Sequence, residues 1–316
     1  MGEILIGTAG WSYDDWQDVV YPSGAGGKFD RLAYMAHLCD TIEINSSFYH
    51  IPSRRVVQSW LGRVSDLPKF QFSAKLYQEI THQRDPRTAD DLLKQYVESI
   101  EPIHLAGRLG AVLLQFPWSF KFSDTSLKWL ERVVGRLALM PLAIEVRHNS
   151  WLEDEFFDFL KTHHVAFCNI DQPSLKNNIL PTEIATASWA YVRFHGRNAA
   201  KWFTENEEVS DRYNYFYQND ELDEWVGRIR RMAQNVERIY VYMNNHVGGQ
   251  GLANAIELKS MLTGQKIASP RQLMLKFPAL KDCAFALDEN EVAPASRKKK
   301  TSKKTPKNEP PEHLLF

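Results

Sequence analysis

LAIEVRHNSW, residues 142–151, contains the pattern that recurs along the whole chain. An apolar run leads into Glu145 and Arg147, and a polar turn precedes a helical period that begins near Trp151. A short buried strand, a turn and an amphipathic helix make one βα unit of a parallel sheet. Because side chains alternate along a strand, Glu145 and Arg147 point to the same side of it.

Eight such apolar, β-branched or aromatic runs occur, and helical segments fill most of the gaps between them. This alternation predicts an α/β fold, specifically a (β/α)8 TIM-type barrel. The predicted strands are 4–8, 41–45, 70–75, 111–116, 142–147, 165–170, 191–195 and 239–243. The predicted helices are 29–38, 53–63, 89–100, 126–137, 151–163 and 221–235.

Local signals refine this assignment. Ser53 is placed to cap the second helix, and Ser150 with Glu153 matches a capping box at the start of the fifth. The connection 171–188 has no helical period, and 198–219 is a long insert rich in polar and aromatic residues. Aromatic side chains over an active face suit either a lid or a stacking platform, although the insert could simply cover the edge of the barrel.

Length and charge limit the domain organisation. The chain has 316 residues and a net charge of −1, which is the sum of −6 for residues 1–296 and +5 for the remainder. Apolar periodicity stops near residue 288, so we expect a barrel domain over 1–288 and a disordered, Lys-rich tail over 289–316. The acidic barrel domain has no general attraction to nucleic acid, and such attraction would come from the tail or from a local patch.

The cellular compartment is indicated by three widely spaced cysteines, Cys39, Cys168 and Cys283, which suggest neither a disulfide framework nor a zinc site. The N-terminus has no basic segment followed by a long apolar run, and no stretch has the length of a membrane span. We therefore expect a cytoplasmic protein without a membrane partner.

Polar residues occur at the end of each of the eight predicted strands. In a barrel, these ends meet on the face where barrel enzymes place their chemistry. A buried cluster of charges is costly unless it is paired, so the cluster indicates either a functional pocket or an internal structural network. The residues predicted to be catalytic are Glu43, Lys75, Glu145, Arg147, His195 and His246. Those predicted to bind substrate are Trp11, Asn45, Tyr49, His82, Gln115, Arg193, Arg197, Asn244, Asn245 and Asn254.

The leading hypothesis is an enzyme, a hydrolase or isomerase, that acts on a phosphorylated or otherwise anionic substrate such as a phosphodiester or sugar phosphate. Lys75 and the arginines would hold anionic oxygens, and Glu145 or Glu43 would act as the general base. His195 or His246 would shuttle a proton or bind metal, and the amide side chains would orient the substrate. A divalent metal suits these oxygen and nitrogen donors, but the sequence does not require one.

Two other interpretations remain open. The protein could bind nucleic acid without catalysis, through the barrel mouth, the aromatic insert and the basic tail. Alternatively, the charged residues could form a purely structural network. A glycine-rich segment at 248–251 precedes a predicted helix, which is typical of an anion-binding loop but equally of a flexible one.

The same segments resemble the successive motifs of the YecE-like family, a domain of unknown function numbered seventy-two. The resemblance covers roughly residues 3–265 and implies a TIM-type barrel. Ala9, Ser47, Trp118 and residues 248–251 depart from the usual motifs, but no charged motif residue is replaced. A likeness at fold level to barrel nucleases of the endonuclease IV and sugar isomerase type suggests nucleic-acid binding. The matching segments are 7–16, 43–53, 70–82, 109–120, 142–151, 191–197 and 240–255.

Overall fold

A closed barrel of eight parallel strands forms the centre of the molecule, as the sequence predicts. The computed structural model describes residues 1–26, 29–202 and 209–288. Consecutive strands are neighbours, and the last strand pairs with the first from Glu3 opposite Arg238 to Thr8 opposite Met243. The strands are β1 Glu3–Ala9, β2 Thr41–Ile44, β3 Gln71–Lys75, β4 Leu109–Gln115, β5 Leu142–Glu145, β6 Ala166–Asp171, β7 Trp189–Phe194 and β8 Arg238–Met243.

Helices surround the barrel. They are α1 Arg31–Ala36, α2 Ser46–Tyr49, α3 Arg54–Arg63, α4 Ala89–Leu105, α5 Asp124–Arg136, α6 Asp154–Thr162, α7 Asn219–Met232, α8 Gln250–Thr263, α9 Arg271–Lys276 and α10 Leu280–Cys283. The connection between β6 and β7, which is described throughout, contains no helix, in agreement with its lack of period. The helices bury one apolar face against the strands; α5, for example, buries Leu130, Val133 and Val134.

The two predicted caps have different outcomes. The Ser53 side chain accepts a hydrogen bond from the Val56 amide and caps α3, as expected. The capping box at Ser150 is wrong, because Ser150 lies in a separate 3-10 turn and Glu153 is the residue that precedes α6. The Ser150 hydroxyl instead accepts the Phe122 amide, so it links two connections of the barrel.

The lower interior of the barrel is filled by tyrosines whose hydroxyls are all engaged. The hydroxyl of Tyr242 lies 2.7 Å from those of both Thr41 and Ser73. Tyr191 donates to Glu43 Oε2 over 2.7 Å. A buried phenol needs a hydrogen-bond partner, and here each ring fills space while its hydroxyl satisfies a neighbour. This polar filling supports the charged layer above it.

The C-terminal part adds elements that the sequence pattern did not predict. Two short parallel strands, β9 Ile267–Ser269 and β10 Ala284–Ala286, form a separate sheet. The predicted tail at 289–316 and part of the aromatic insert, 203–208, lie outside the described residues. None of the helices in the described ranges has the length and apolar character needed to cross a membrane.

A glycine in β1 allows the close approach of two strands and gives a test of the barrel. A methyl group on Gly7 would lie 1.7 Å from the Thr41 carbonyl oxygen, whereas one on Gly62 in α3 would meet nothing within 4 Å. We expect Gly7→Ala to lower the free energy of unfolding by about 1–3 kcal/mol or more, because a backbone strand must move. Gly62→Ala should raise it by up to about 1 kcal/mol, because alanine favours the helix. Urea unfolding of both variants checks this, and equal stabilities would contradict the barrel register.

Candidate functional site

A buried ion cluster lies at the carboxyl ends of the strands. The guanidinium of Arg193, only 1% exposed, donates through Nη2 to Glu43 Oε1 over 2.7 Å and through Nη1 to Glu145 Oε2. Both carboxylates are fully buried. One guanidinium therefore bridges two carboxylates that come from opposite parts of the barrel, and its planar fork suits that geometry.

Glu145 has three further partners, one of which is the Cys168 thiol, 3.9 Å from Oε2. Arg147 donates from Nε to Oε1 over 2.9 Å, and His195 Nε2 lies 3.1 Å from the same oxygen. Burial alone would raise the pKa of Glu145, but the charges of Arg193, His195 and Arg147 hold that pKa well below its usual range. Glu145 is thus a permanently ionised carboxylate that is already saturated with donors.

The orientation of His195 follows from its neighbours. Burial, opposed by the nearby charge of Glu145, lowers the pKa of His195 to about 3, so the ring is neutral. An ionised carboxylate can only accept, and His195 therefore donates from Nε2 to Glu145. Nδ1 then accepts from the Asn244 amide at 3.0 Å. Because both nitrogens have partners, His195 is suited to positioning Glu145 rather than to shuttling protons.

A cavity of about 620 Å³ opens above this cluster at the barrel mouth. Its described lining combines three cations, two imidazoles, three amides and six aromatic rings, and it includes no carboxylate. The lining residues are Tyr13, Asn45, Phe48, Tyr49, Lys75, His82, Gln115, Pro117, Trp118, Arg147, Trp202, Arg212, Tyr213, Asn244 and His246. The glutamates expected in the pocket lie beneath it instead.

Lys75 differs from the arginines of the cluster. Its amine lies 3.9 Å from the centre of the Phe48 ring and has no carboxylate or hydrogen-bond partner among the described residues. Burial and the charge of Arg193 lower the pKa of Lys75 to about 7. Near neutral pH this lysine is therefore divided between the ammonium and the free amine.

Two imidazoles in the cavity wall are neutral. Burial, together with the charges of Lys75 and Arg147, lowers the pKa of His82 to about 4. Burial also lowers the pKa of His246 to about 4, and its ring stacks on Tyr13 at 4.3 Å. His246 Nδ1 is buried and has no hydrogen-bond partner in the part of the chain that the structure describes.

The predicted site residues fall into three groups. Those that line the cavity are Asn45, Tyr49, Lys75, His82, Gln115, Arg147, Asn244 and His246. Those in the cluster beneath it are Glu43, Glu145, Arg193 and His195. Those outside it are Trp11, Arg197, Asn245 and Asn254.

Each residue of the third group has a structural partner. Trp11 packs edge-on against Trp60 at 5.6 Å. Arg197 Nη2 donates to the buried carboxylate of Asp171 over 2.7 Å. Asn245 and Asn254 bind each other over 2.9 Å and hold the returning end of the insert, at Tyr215 and Tyr217, through its backbone carbonyls.

The glycine-rich loop at 248–251 is not open to an anion. The amide of Gly248 donates to the carboxylate of Asp15, and the Gly248 carbonyl accepts from Lys276 over 2.8 Å. Asp15 therefore already occupies the amide that an anionic ligand would use.

Metal binding has no preformed donor set here. Across residues 1–26, 29–202 and 209–288, no three His, Cys, Asp or Glu side chains are grouped in a way that could hold a metal ion. Three carboxylates suit metal binding by residue type, but Glu43 and Glu145 are turned toward Arg193 and Asp171 is paired with Arg197.

Comparison with known proteins identifies the family. A family profile described as "Protein of unknown function DUF72" matches residues 5–274. The chain belongs to the DUF72 family. It is similar to UPF0759 protein YunF of Bacillus subtilis (strain 168), at 29% identity over 288 residues that cover 86% of this chain and 99% of YunF.

Solved structures of DUF72 family proteins have the same fold. One from Thermotoga maritima matches with a TM-score of 0.73 and 33% identity, over 82% of this chain and 99% of the other. One from Enterococcus faecalis matches with a TM-score of 0.72 and 26% identity, over 82% and 95%. The DUF72 assignment thus agrees with the resemblance seen in the sequence.

Some lining residues of this DUF72 protein were not among the sequence candidates. Tyr13, Phe48 and Arg212 reach the cavity from connections after β1, β2 and β7, not from the strands themselves. His82 was a candidate, and it is presented by a π-helical turn, Glu79–Gln83, which is a feature frequent at functional sites. For Tyr13 and Phe48, the signal available in the sequence was the spacing of aromatic residues in the segments 7–16 and 43–53.

The ion cluster is tested by Arg193→Met, which keeps the bulk of the side chain and removes the charge. We expect a loss of about 3–5 kcal/mol in the free energy of unfolding, because two buried carboxylates lose their common partner. The variant should recover stability relative to wild type as the pH falls, since burial without the guanidinium raises the pKa of Glu145.

Arg87→Met is the matched control, since the Arg87–Asp85 pair is exposed on the surface. Chemical denaturation at several pH values measures both variants. If the two are equally stable, the cluster is not a required part of the barrel.

Proposed function

We propose that this DUF72 protein is an enzyme whose barrel mouth binds a small anionic substrate that carries a sugar or aromatic ring. The composition of the cavity wall supports this proposal most directly: Lys75, Arg147 and Arg212 line it together with six aromatic rings and, among the described residues, no carboxylate. Its volume of about 620 Å³ is within the range of small-molecule sites.

Two arginines supply the anion contact. Arg147 uses only Nε for Glu145, which leaves its terminal nitrogens for a ligand, and its guanidinium lies 5.7 Å from the Trp202 ring. Arg212 enters the cavity from the insert. Guanidinium groups bind phosphate and carboxylate through paired N–H donors, so the two arginines together favour an anionic substrate.

Aromatic rings and amides supply the remaining contacts. Tyr13 and His246 stack nearly parallel, with an angle of 10° between the rings, and Tyr213 lies 5.7 Å from His246. Such surfaces bind flat bases or the faces of sugars. Asn45 and Gln115 bring side-chain amides to the cavity wall, and an amide can bind a ligand hydroxyl or amine.

The proton-transfer role moves from the glutamates to the cavity wall. Glu43 and Glu145 are held by guanidinium groups below the cavity, which disfavours either as the general base. Lys75, with a pKa lowered to about 7, titrates near the working pH, which suits its amine to acid-base or nucleophilic chemistry.

Paired probes test the proposal. We expect ribose 5-phosphate and AMP to bind more tightly than ribose and adenosine in isothermal titration calorimetry. Arg212→Gln should weaken only the phosphorylated probes, by about tenfold, because one charge-assisted contact is lost. The matched control is Arg230→Gln in α7, whose guanidinium donates to the Met261 carbonyl away from the cavity.

Equal affinity for both members of each pair, or equal losses in both variants, would refute an anion site at the mouth. Mass spectrometry of the recovered probes then separates catalysis from binding. Probes that bind but are returned unchanged would support a binding protein rather than an enzyme acting on them.

A second candidate function, nucleic-acid binding, is favoured by a groove next to the mouth. The groove has a volume of about 670 Å³ and combines Arg84, Lys121, Lys128 and Arg132 with Phe120, Phe122 and Trp129. Arg84 lies over the Phe120 ring at 5.0 Å and Lys121 over the Trp118 ring at 5.4 Å. Cations interleaved with rings suit a single strand, whose phosphates and bases would contact each type in turn.

Fluorescence anisotropy with a labelled single-stranded oligonucleotide tests this candidate. Replacing Lys121 and Lys128 by Gln should weaken binding and reduce the slope of log affinity against log salt by about two. Deletion of 297–316 separates the contribution of the tail. No binding at low salt, or a slope that only the tail deletion changes, would eliminate the groove as a nucleic-acid site.

A further inference from the structure

Among the described residues, Lys75 at the barrel mouth lacks the carboxylate partner that three nearby arginines have. Arg147 and Arg193 each bind a buried carboxylate of the cluster, and Arg197 binds Asp171. The amine of Lys75 lies over the face of Phe48 and has no carboxylate or hydrogen-bond partner among the described residues, although its side chain is half-buried in the cavity wall. A structural lysine in this position would be expected to pair with a carboxylate, and both nearby carboxylates are already occupied.

The backbone holds Lys75 rigidly. Its carbonyl accepts hydrogen bonds from the Ser47 hydroxyl at 2.7 Å and from the Tyr96 hydroxyl at 3.1 Å. Two side chains from separate connections therefore fix the last residue of β3. From this fixed point a four-carbon stem carries the amine along the Phe48 ring into the cavity.

Burial favours the free amine of Lys75, and the charges around the amine act in both directions. Arg193 and Arg147 oppose its protonation, whereas Glu43 and Glu145 favour it. Burial also opposes protonation of Lys75 and is the largest cause of its lowered pKa. The neutral ring of His82 packs edge-on against the same Phe48 ring at 5.0 Å. Desolvation together with a neighbouring cation is how proteins convert lysine into a nucleophile at neutral pH.

We propose that Lys75 is a catalytic residue that forms an imine with a ketone or aldehyde substrate that also carries a phosphate or carboxylate. This inference rests on the proposed function, because Arg147 and Arg212 would hold the anionic group while the carbonyl faces Lys75. The substrate would therefore carry a ketone or aldehyde in addition to its anionic group and its ring.

The step balances without an oxidant or reductant. The lone pair of the amine forms a C–N bond with the carbonyl carbon, and the electrons of the C=O π bond move to oxygen, which takes a proton from nitrogen. The C–O bond of this carbinolamine then breaks, and water leaves as nitrogen forms the C=N double bond. If the second amine proton leaves with that water, the product is a neutral imine. If an external proton completes the water, the second amine proton stays on nitrogen and the product is a protonated imine. Hydrolysis reverses every step and restores Lys75.

Borohydride trapping tests the proposal on the full chain. Wild-type protein is incubated with sodium cyanoborohydride and either dihydroxyacetone phosphate or pyruvate, and its peptides are mapped by mass spectrometry. We expect one adduct, on Lys75, with the added mass of the probe less one oxygen atom. Glycerol 3-phosphate, which has the charge but no carbonyl, should protect Lys75 and form no adduct.

Two variants complete the experiment. Lys75→Arg retains the cation and should abolish the adduct, whereas Lys121→Arg, which alters an exposed lysine next to the mouth, should leave it unchanged. Adducts spread over many lysines, or no adduct with either probe, would overturn the proposal. If calorimetry still detects glycerol 3-phosphate at the mouth in that case, the anion site stands and only the imine fails. If it detects none, both proposals fail.

Discussion

The bridge from Arg193 to Glu43 and Glu145 is the interaction on which the rest of the site depends. Two carboxylates buried at the centre of a barrel would repel each other and lose hydration, and one guanidinium between them offsets both effects. Arg147 adds the second positive charge that balances the pair. With that balance complete, Lys75 finds no free carboxylate, and burial together with the charge of Arg193 lowers its pKa.

The barrel interior is consequently organised in layers of different chemistry. Hydroxyls of tyrosine, serine and threonine fill the layer below, the ion cluster lies above them, and the cavity opens at the top. The structural interpretation of the charged residues therefore applies to the ion cluster, and the functional interpretation applies to the cavity above it. Both carboxylates of the cluster have a guanidinium partner, whereas the described lining of the cavity holds three cations and no carboxylate.

The eight strands and the polar ends could be predicted from the sequence, because period-two patterning and the position of polar residues are local properties. The depth of a side chain within the barrel could not be predicted, because alternation specifies the side of a strand and not the layer of the barrel interior. Glu145 and Lys75 both point inward, yet one is sealed beneath the cavity and the other lines it.

Period-two alternation also fails to predict the direction of a side chain where the backbone turns. Arg197 continues the spacing of Arg193 and His195, but Gly196 has a left-handed φ of 89°, which redirects Arg197 to Asp171. Rings that arrive from connections, such as Tyr13 and Phe48, follow no strand period at all. Their approach to the cavity depends on tertiary packing that a single sequence does not specify.

The most direct test of this account is an NMR titration of Lys75 in protein with ¹³C-labelled lysine side chains, with the resonance assigned by its loss in Lys75→Met. Burial of the amine, together with the charge of Arg193, predicts a midpoint at about 7. A midpoint near the ordinary lysine value of about 10.4 would mean that the amine is hydrated or paired with a carboxylate, and would contradict the account.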